Sequence, residues 1–299
     1  MIEIIKNPNI DFVGIRKYGF IFSAVALAIT ILLIFVKGPN FGVDFTGGTL
    51  LQIRFDKPIT TAALRSSLSK IGESGASIQA LGDEQNEYVI RTAGAEPAEV
   101  TSAVKRVLTS DFPLNKQEIL REESVEPKIG KELFIKTIWA VVLALIAILI
   151  YVSFRFDYRF GIASVIALFH DALFTIGVLV LLQREFSIVV VGAILTILGF
   201  SINDSIVVSD RIREKQSKMR KEPYNALLNA GVNETLSRTV LTSGTALLAV
   251  ISLLIFGGSV IADFALTLLV GFTVGVYSTV FLVVGIVSVW EERFPKKKK

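Results

Sequence analysis

Two carboxylates interrupt long apolar runs of this 299-residue sequence, Asp171 and Asp204, and one arginine, Arg238, opens a further run. An ionisable side chain at membrane depth costs about 2.5–3.5 kcal/mol on insertion scales, so each is a candidate for ion handling. Asp204 stands among Ser201, Asn203 and Ser205, with Gly199 and Thr196 about one and two turns away. A polar, small-residue stripe through Ile, Val and Leu fits a helix face turned toward other helices and water. Arg238 is followed by Thr239, Thr242, Ser243 and Thr245. A carboxylate that alternates between paired and unpaired states changes its cation affinity with conformation. That is the chemistry of a gradient-driven machine. A static Asp204–Arg238 ion pair that fixes helix packing is the competing reading. For Asp171 a structural hydrogen bond is the favoured role, and its neighbour His170 enters only as a minor relay candidate. Gly271 and Gly275 form a small-x-x-x-small packing motif whose partner helix is left open.

The elements that must hold these residues follow from composition. Hydrophobic residues make up 52% of the chain and charged residues only 19%, with a mean hydropathy of +0.61. Those values argue against an ordinary water-soluble enzyme and against disorder. With no cysteine and one histidine there is no disulfide, thiolate site or His-rich metal site. Six segments are long enough to cross ~30 Å of hydrocarbon as helices, at about 20 residues each. They are residues 18–36, 133–154, 160–182, 186–208, 239–256 and 264–290. The first is read as a retained anchor, because its apolar run is longer than a signal-peptide core.

Loop charge sets the expected orientation. Arg16, Lys17, Arg155, Arg159 and the basic loop 209–238 lie on one side, together with the tail 291–299 and its lysines at 296–299. The other side has Arg184 and a loop, 257–263, with no base. The positive-inside rule then places both termini, 1–17 and 291–299, in the cytoplasm and residues 37–132 outside it. The lysine tail suits a lipid-headgroup anchor better than a nucleic-acid patch.

Residues 37–132 carry a net charge of −2, which argues against binding nucleic acid. Strand patterns at 49–55, 76–81, 87–92 and 117–125 alternate with helical spacing at 60–71, behind a Thr60 cap, and at 97–108. A Gly82-Asp83 turn separates the middle strands. The order β-α-β-β-α-β predicts a ferredoxin-like α+β domain on a six-helix membrane protein. No nucleotide-binding glycine loop is present, and Gly47-Gly48 lacks the lysine of a phosphate cradle. The sequons at Asn203 and Asn233 are read as chance matches. Neither an enzyme nor a cofactor is expected; the energy would come from an H⁺ or Na⁺ gradient.

Three blocks carry a family resemblance. They are Phe41-Gly42-Val43-Asp44-Phe45-Thr46-Gly47-Gly48, then Phe154-Arg155-Phe156 through His170-Asp171, and Gly199 through Glu214 with Arg238 through Thr245. The sequence resembles the SecF branch of the SecD/SecF protein-export family, within the resistance-nodulation-division superfamily. The match runs through all six spans in order. The resemblance implies one half of a twelve-helix assembly with SecD, aiding the SecYEG channel, with YajC as a further candidate partner and an unfolded polypeptide as cargo. It implies a bacterial cytoplasmic-membrane location and an ion path including Asp204 and Arg238. Ser201, Asn203, Ser205, Asp171 and Thr242 are taken as that path's further candidates. Two rival readings are half of a small-solute exporter of the same superfamily and a non-motor scaffold that stabilises the translocon.

Overall fold

The computed structural model describes residues 8–81, 86–92, 97–218 and 222–295. The Gly82-Asp83 turn, residues 1–7, Arg220 and Lys221 of the basic loop, and the lysines at 296–299 lie outside the described residues. In chain order the elements begin with α1 (Arg16–Val36), β1 (Asn40–Phe41), α2 (Val43–Thr46) and β2 (Gly48–Phe55). Next come α3 (Thr61–Ser69), β3 (Ser77–Leu81), β4 (Glu87–Thr92), α4 (Pro97–Asp111) and β5 (Gln117–Val125). The remainder is helical apart from one short strand: α5 (Pro127–Arg155), α6 (Tyr158–Leu181), β6 (Glu185–Phe186), α7 (Ile188–Lys218), α8 (Tyr224–Phe256) and α9 (Ser259–Ser278). A π-helical turn, Thr279–Val283, joins α9 to α10 (Val284–Arg293).

Six helical segments are long and apolar enough to span a membrane, and the protein is a multi-pass membrane protein. Several run well past the ~20 residues that hydrocarbon requires. Residues 209–238, expected as a loop, are therefore helical over 209–218 and 224–238. The reason is local. Buried Ile212, Leu227, Leu228 and Val232 continue the helical spacing, and charges pair along the helix surfaces. Lys218 Nζ meets Glu214 Oε1 at 2.6 Å, and Arg211 pairs with Glu214 and Glu234. Asn233, the residue of the second sequon, is buried; its side chain accepts from Ile10 N at 2.9 Å and donates to Ile10 O at 2.8 Å.

The chain divides into two units. The membrane unit comprises Met1–Asn40, Ala140–Arg184 and Val189–Lys299. In it α6 packs against α1 and α9, and α9 against α8. The second helix of the small-residue motif is this chain's own α7. A Cβ on Gly271 would collide with Ile197, and one on Gly275 would stand 3.1 Å from Ser201 Cβ. Phe200 and Phe272 stack across the same contact at 4.1 Å.

The second unit comprises Phe41–Trp139 and Glu185–Ile188. Its sheet has the order β3-β4-β2-β5 with every neighbouring pair antiparallel, the ferredoxin-like arrangement. Leu51, Ile53 and Phe55 point to a core closed by Leu64 and Leu68 of α3 and Val104 and Leu108 of α4. Thr60 Oγ1 accepts from Ala63 N at 3.2 Å and caps α3. β2 does not follow a simple buried-exposed alternation, because its other face is covered too. Leu50 packs there with Val43 of α2 and Val89.

Candidate functional site

Asp204 lies on α7 and is 4% exposed, although a carboxylate would gain free energy by reaching water. Among the described residues one hydroxyl reaches it: Ser243 Oγ of α8 donates to Asp204 Oδ2 at 3.4 Å. Arg238 lies near enough for its charge to act on Asp204. Among the described residues no ion pair joins the two, and the Arg238 side chain is exposed. Asn203, Thr242 and Thr245 are exposed as well, with Gly192, Thr196 and Gly199 along the same helix. A Cβ at Gly192, Gly199 or Gly244 would meet nothing within 4 Å. An open, polar, small-residue face therefore runs along membrane helices α7 and α8, beside a buried acid. Thr242 Oγ1 is occupied locally, donating to Arg238 O at 2.9 Å.

A second cluster lies deeper in the bundle. Asp171 of α6 is fully buried and its Oδ2 accepts two hydroxyl hydrogen bonds, from Ser201 Oγ of α7 at 2.9 Å and from Ser278 Oγ of α9 at 2.7 Å. His170 Nδ1 lies 3.1 Å from Asp171 Oδ1, while its buried Nε2 has no hydrogen-bond partner among the described residues. One turn along α7, Ser205 Oγ and Thr279 Oγ1 share a hydrogen bond at 3.0 Å. Thr279 is the first residue of the π-helical turn, a rare element that often marks functional positions.

The residues singled out in the sequence thus separate. Asp204 goes with Ser243 and faces toward Arg238; Asp171, His170 and Ser201 form one network, and Ser205 belongs to a neighbouring contact. Asn203 and Thr242 are on the open face. Ser278 and Thr279 were missed, though a Ser-Thr pair inside the apolar last span is a signal of the kind that drew attention to Ser201 and Ser205. No ligand set was legible for either cluster beyond these side chains.

The profile of the protein export membrane protein SecD/SecF C-terminal family matches residues 104–293, and that of the SecD/SecF GG motif matches residues 32–59. The protein translocase subunit SecF of Calditerrivibrio nitroreducens is 42% identical over 292 residues, which is 96% of each chain. The chain belongs to the SecD/SecF family. Its role is a SecF-like one in protein export. The subunit SecF of Magnetococcus marinus is 41% identical, over 93% of this chain and 91% of that one. The protein translocase subunit SecDF of Thermus thermophilus is 40% identical over 96% of this chain but only 39% of its own. A crystal structure of SecDF from Thermus superposes with a TM-score of 0.88 at 41% identity, again covering 96% of this chain and 39% of that one.

Proposed function

We propose that the chain converts an H⁺ or Na⁺ gradient into work on exported polypeptides, with Asp204 as the site that takes up and releases the cation. The observation that carries this reading is a buried carboxylate with one long hydroxyl contact and, among the described residues, no ion pair, set beside an exposed arginine in the membrane unit. A cation falling through ~100 mV releases about 2.3 kcal/mol, which biases two states that differ by a few kcal/mol. Uptake and release at Asp204 would alternate with contact to Arg238. Asp171 has three neutral or histidine neighbours in hydrogen-bond range, so an anchoring role suits it better than a place on the ion path. His170 stays a minor relay candidate.

The partner would be a SecD-type subunit. The fused SecDF relative, of which this chain matches 39%, supports that pairing, and the open face of α7 and α8 offers the small-residue surface that membrane helices use to associate. Assistance to a SecYEG-type channel, with YajC as an accessory, a bacterial cytoplasmic-membrane location with both termini inside, and function without nucleotide hydrolysis complete the proposal. Asp204→Asn keeps the size of the side chain and removes its charge. In cells carrying this variant, gradient-dependent export falls to the level of a deletion strain while the SecD-type partner still co-purifies. Export at the wild-type rate would refute the role of Asp204.

A further inference from the structure

The glycine-containing segment that follows α1 is shaped around the first residues of α7. Residues Glu185–Ile188 connect two membrane helices, yet they belong to the second unit, with the α+β domain. Four observations hold them there. Gly42 N donates to Phe186 O at 3.0 Å. Asp44 Oδ2 accepts from Ile188 N at 2.8 Å and so satisfies one of the orphan N–H groups at the start of α7. Arg91 Nη2 pairs with Glu185 Oε2 at 2.8 Å, with both side chains nearly buried. Phe186 packs against Phe41 and Phe45 at 5.9 and 6.0 Å, and both of these meet Phe134 at 5.7 and 5.8 Å. Arg121, hydrogen-bonded to Glu123 at 2.7 Å, adds charge interactions with Glu185 and Asp44.

The glycines fit this arrangement rather than a ligand. A Cβ on Gly42 would lie 2.6 Å from Glu185 Oε1. Gly47, at φ +74°, has the first residue of α5 beside it, where a Cβ would stand 2.5 Å from Pro127 Cα. The segment is therefore seated against the first residues of two membrane helices. One of them, α7, carries Asp204 sixteen residues further on, roughly 24 Å along the helix at ~1.5 Å per residue.

We propose that Phe41–Gly48 and Glu185–Ile188 form a clasp that stays closed through the working cycle and transmits axial displacement of α7 to the external domain, with Asp44, Arg91 and Glu185 as positioning residues. The inference rests on the proposed cation-driven function, since it concerns how a change at Asp204 reaches the sheet. A helix start held by a carboxylate, a buried ion pair and four aromatic rings moves with the unit that holds it, and a start held by nothing frays. The clasp thereby accounts for the conformations of the glycines without a phosphate or other ligand.

The test uses the full chain with its SecD-type partner and a SecYEG-type channel with its motor in proteoliposomes, where gradient-driven ion flux and gradient-dependent export are both read. Asp44→Ala leaves flux near the wild-type value and lowers export about tenfold, the factor that corresponds to loss of an N-cap interaction. Asp44→Asn restores export, because its side-chain carbonyl oxygen can accept from Ile188 N–H. Arg91→Glu and Glu185→Arg each uncouple export from flux, and the charge-swapped double variant recovers it. Hydrogen exchange in Asp44→Ala rises at 188–190 and is unchanged in β2. If protection falls in β2 as well, the domain has been disturbed and the charge-swap pair decides: recovery supports the clasp, and no recovery overturns it. Wild-type export in Asp44→Ala, or flux and export falling together, also overturns it. Asp204→Asn run in parallel separates the two readings: normal export in that variant removes the cation-driven function itself, whereas failure of the clasp alone leaves Asp204→Asn inactive and Asp44→Ala coupled.

Discussion

Asp204 and Arg238 stand on neighbouring helices without an ion pair, the acid buried against Ser243 and the arginine exposed. A buried pair that served only to fix packing would be closed in the resting bundle. On the proposed function, the open arrangement leaves the carboxylate free to bind a small cation and gives the arginine somewhere to move.

Replacing both residues with leucine separates motor from scaffold. Asp204→Leu combined with Arg238→Leu removes a buried carboxylate and an exposed charge without leaving a polar group stranded in the bundle, so folding and assembly survive. The double variant accumulates to normal levels, co-purifies with the SecD-type partner and shows no gradient-dependent export. A scaffold would export normally with the same substitutions.

The hydroxyls around Asp171 predict a stability effect without a first-order effect on coupling. Ser278→Ala and Ser201→Ala each remove one donor to Asp171 Oδ2. Hydrogen bonds between membrane helices contribute about 0.6–1.7 kcal/mol, so each variant lowers thermal stability in detergent by an amount of that order. Ion flux in the folded fraction stays within about twofold of wild type, about 0.4 kcal/mol on the tenfold-per-1.4 scale. A complete loss of flux in either variant would move Asp171 onto the ion path.

Helix packing at the Gly271 and Gly275 contact predicts an order of effects. Gly271→Ala drives a methyl into Ile197, and the larger strain costs about 1–3 kcal/mol. Gly275→Ala meets Ser201 Cβ at 3.1 Å and costs less. Thermal unfolding in detergent gives both values, and the reverse order would show that α9 approaches α7 differently.

The α+β domain carries a pH signature of its own. Hydrogen bonds from the Lys70 ammonium and from Ser67, opposed by slight burial, hold the Asp111 carboxyl below its usual range. Lys70 Nζ stands 2.7 Å from Asp111 Oδ1, linking the end of α3 to the end of α4. A carboxyl with a lowered folded-state pKa adds stability above its unfolded value, about 3.9, and that contribution is lost as pH falls through the folded value. Hydrogen-exchange protection of α4 therefore declines with acid more steeply in the wild type than in Asp111→Asn. Equal acid sensitivity in the two would remove the pair from the domain's stability.

The six apolar runs and the βαββαβ order were legible because each rests on local periodicity: Leu64 and Leu68 repeat at helical spacing, and Thr60 caps the helix they belong to. The ends of α7 and α8 were less so. Hydropathy marks where a helix leaves lipid, while Ile212, Leu227, Leu228 and Val232 keep it helical beyond that point. At the candidate site Asp204 stood out by cost alone. Its separation from the Asp171 network did not, since that depends on which side chain of α9 faces α6, and Ser278 lies more than a hundred residues from its partner. The role of Phe41–Gly48 was hidden for the same reason. A segment whose neighbours are Glu185 and Ile188 has no local pattern to reveal them.

Infrared difference spectroscopy of the complex in lipid, recorded as an ion gradient is imposed and withdrawn, reads the Asp204 carboxyl directly. The cation-driven account predicts a carboxyl band that changes with the gradient in the wild type and is absent from Asp204→Asn. A band that stays fixed in the ionised position throughout, in a complex that is exporting protein, would contradict it.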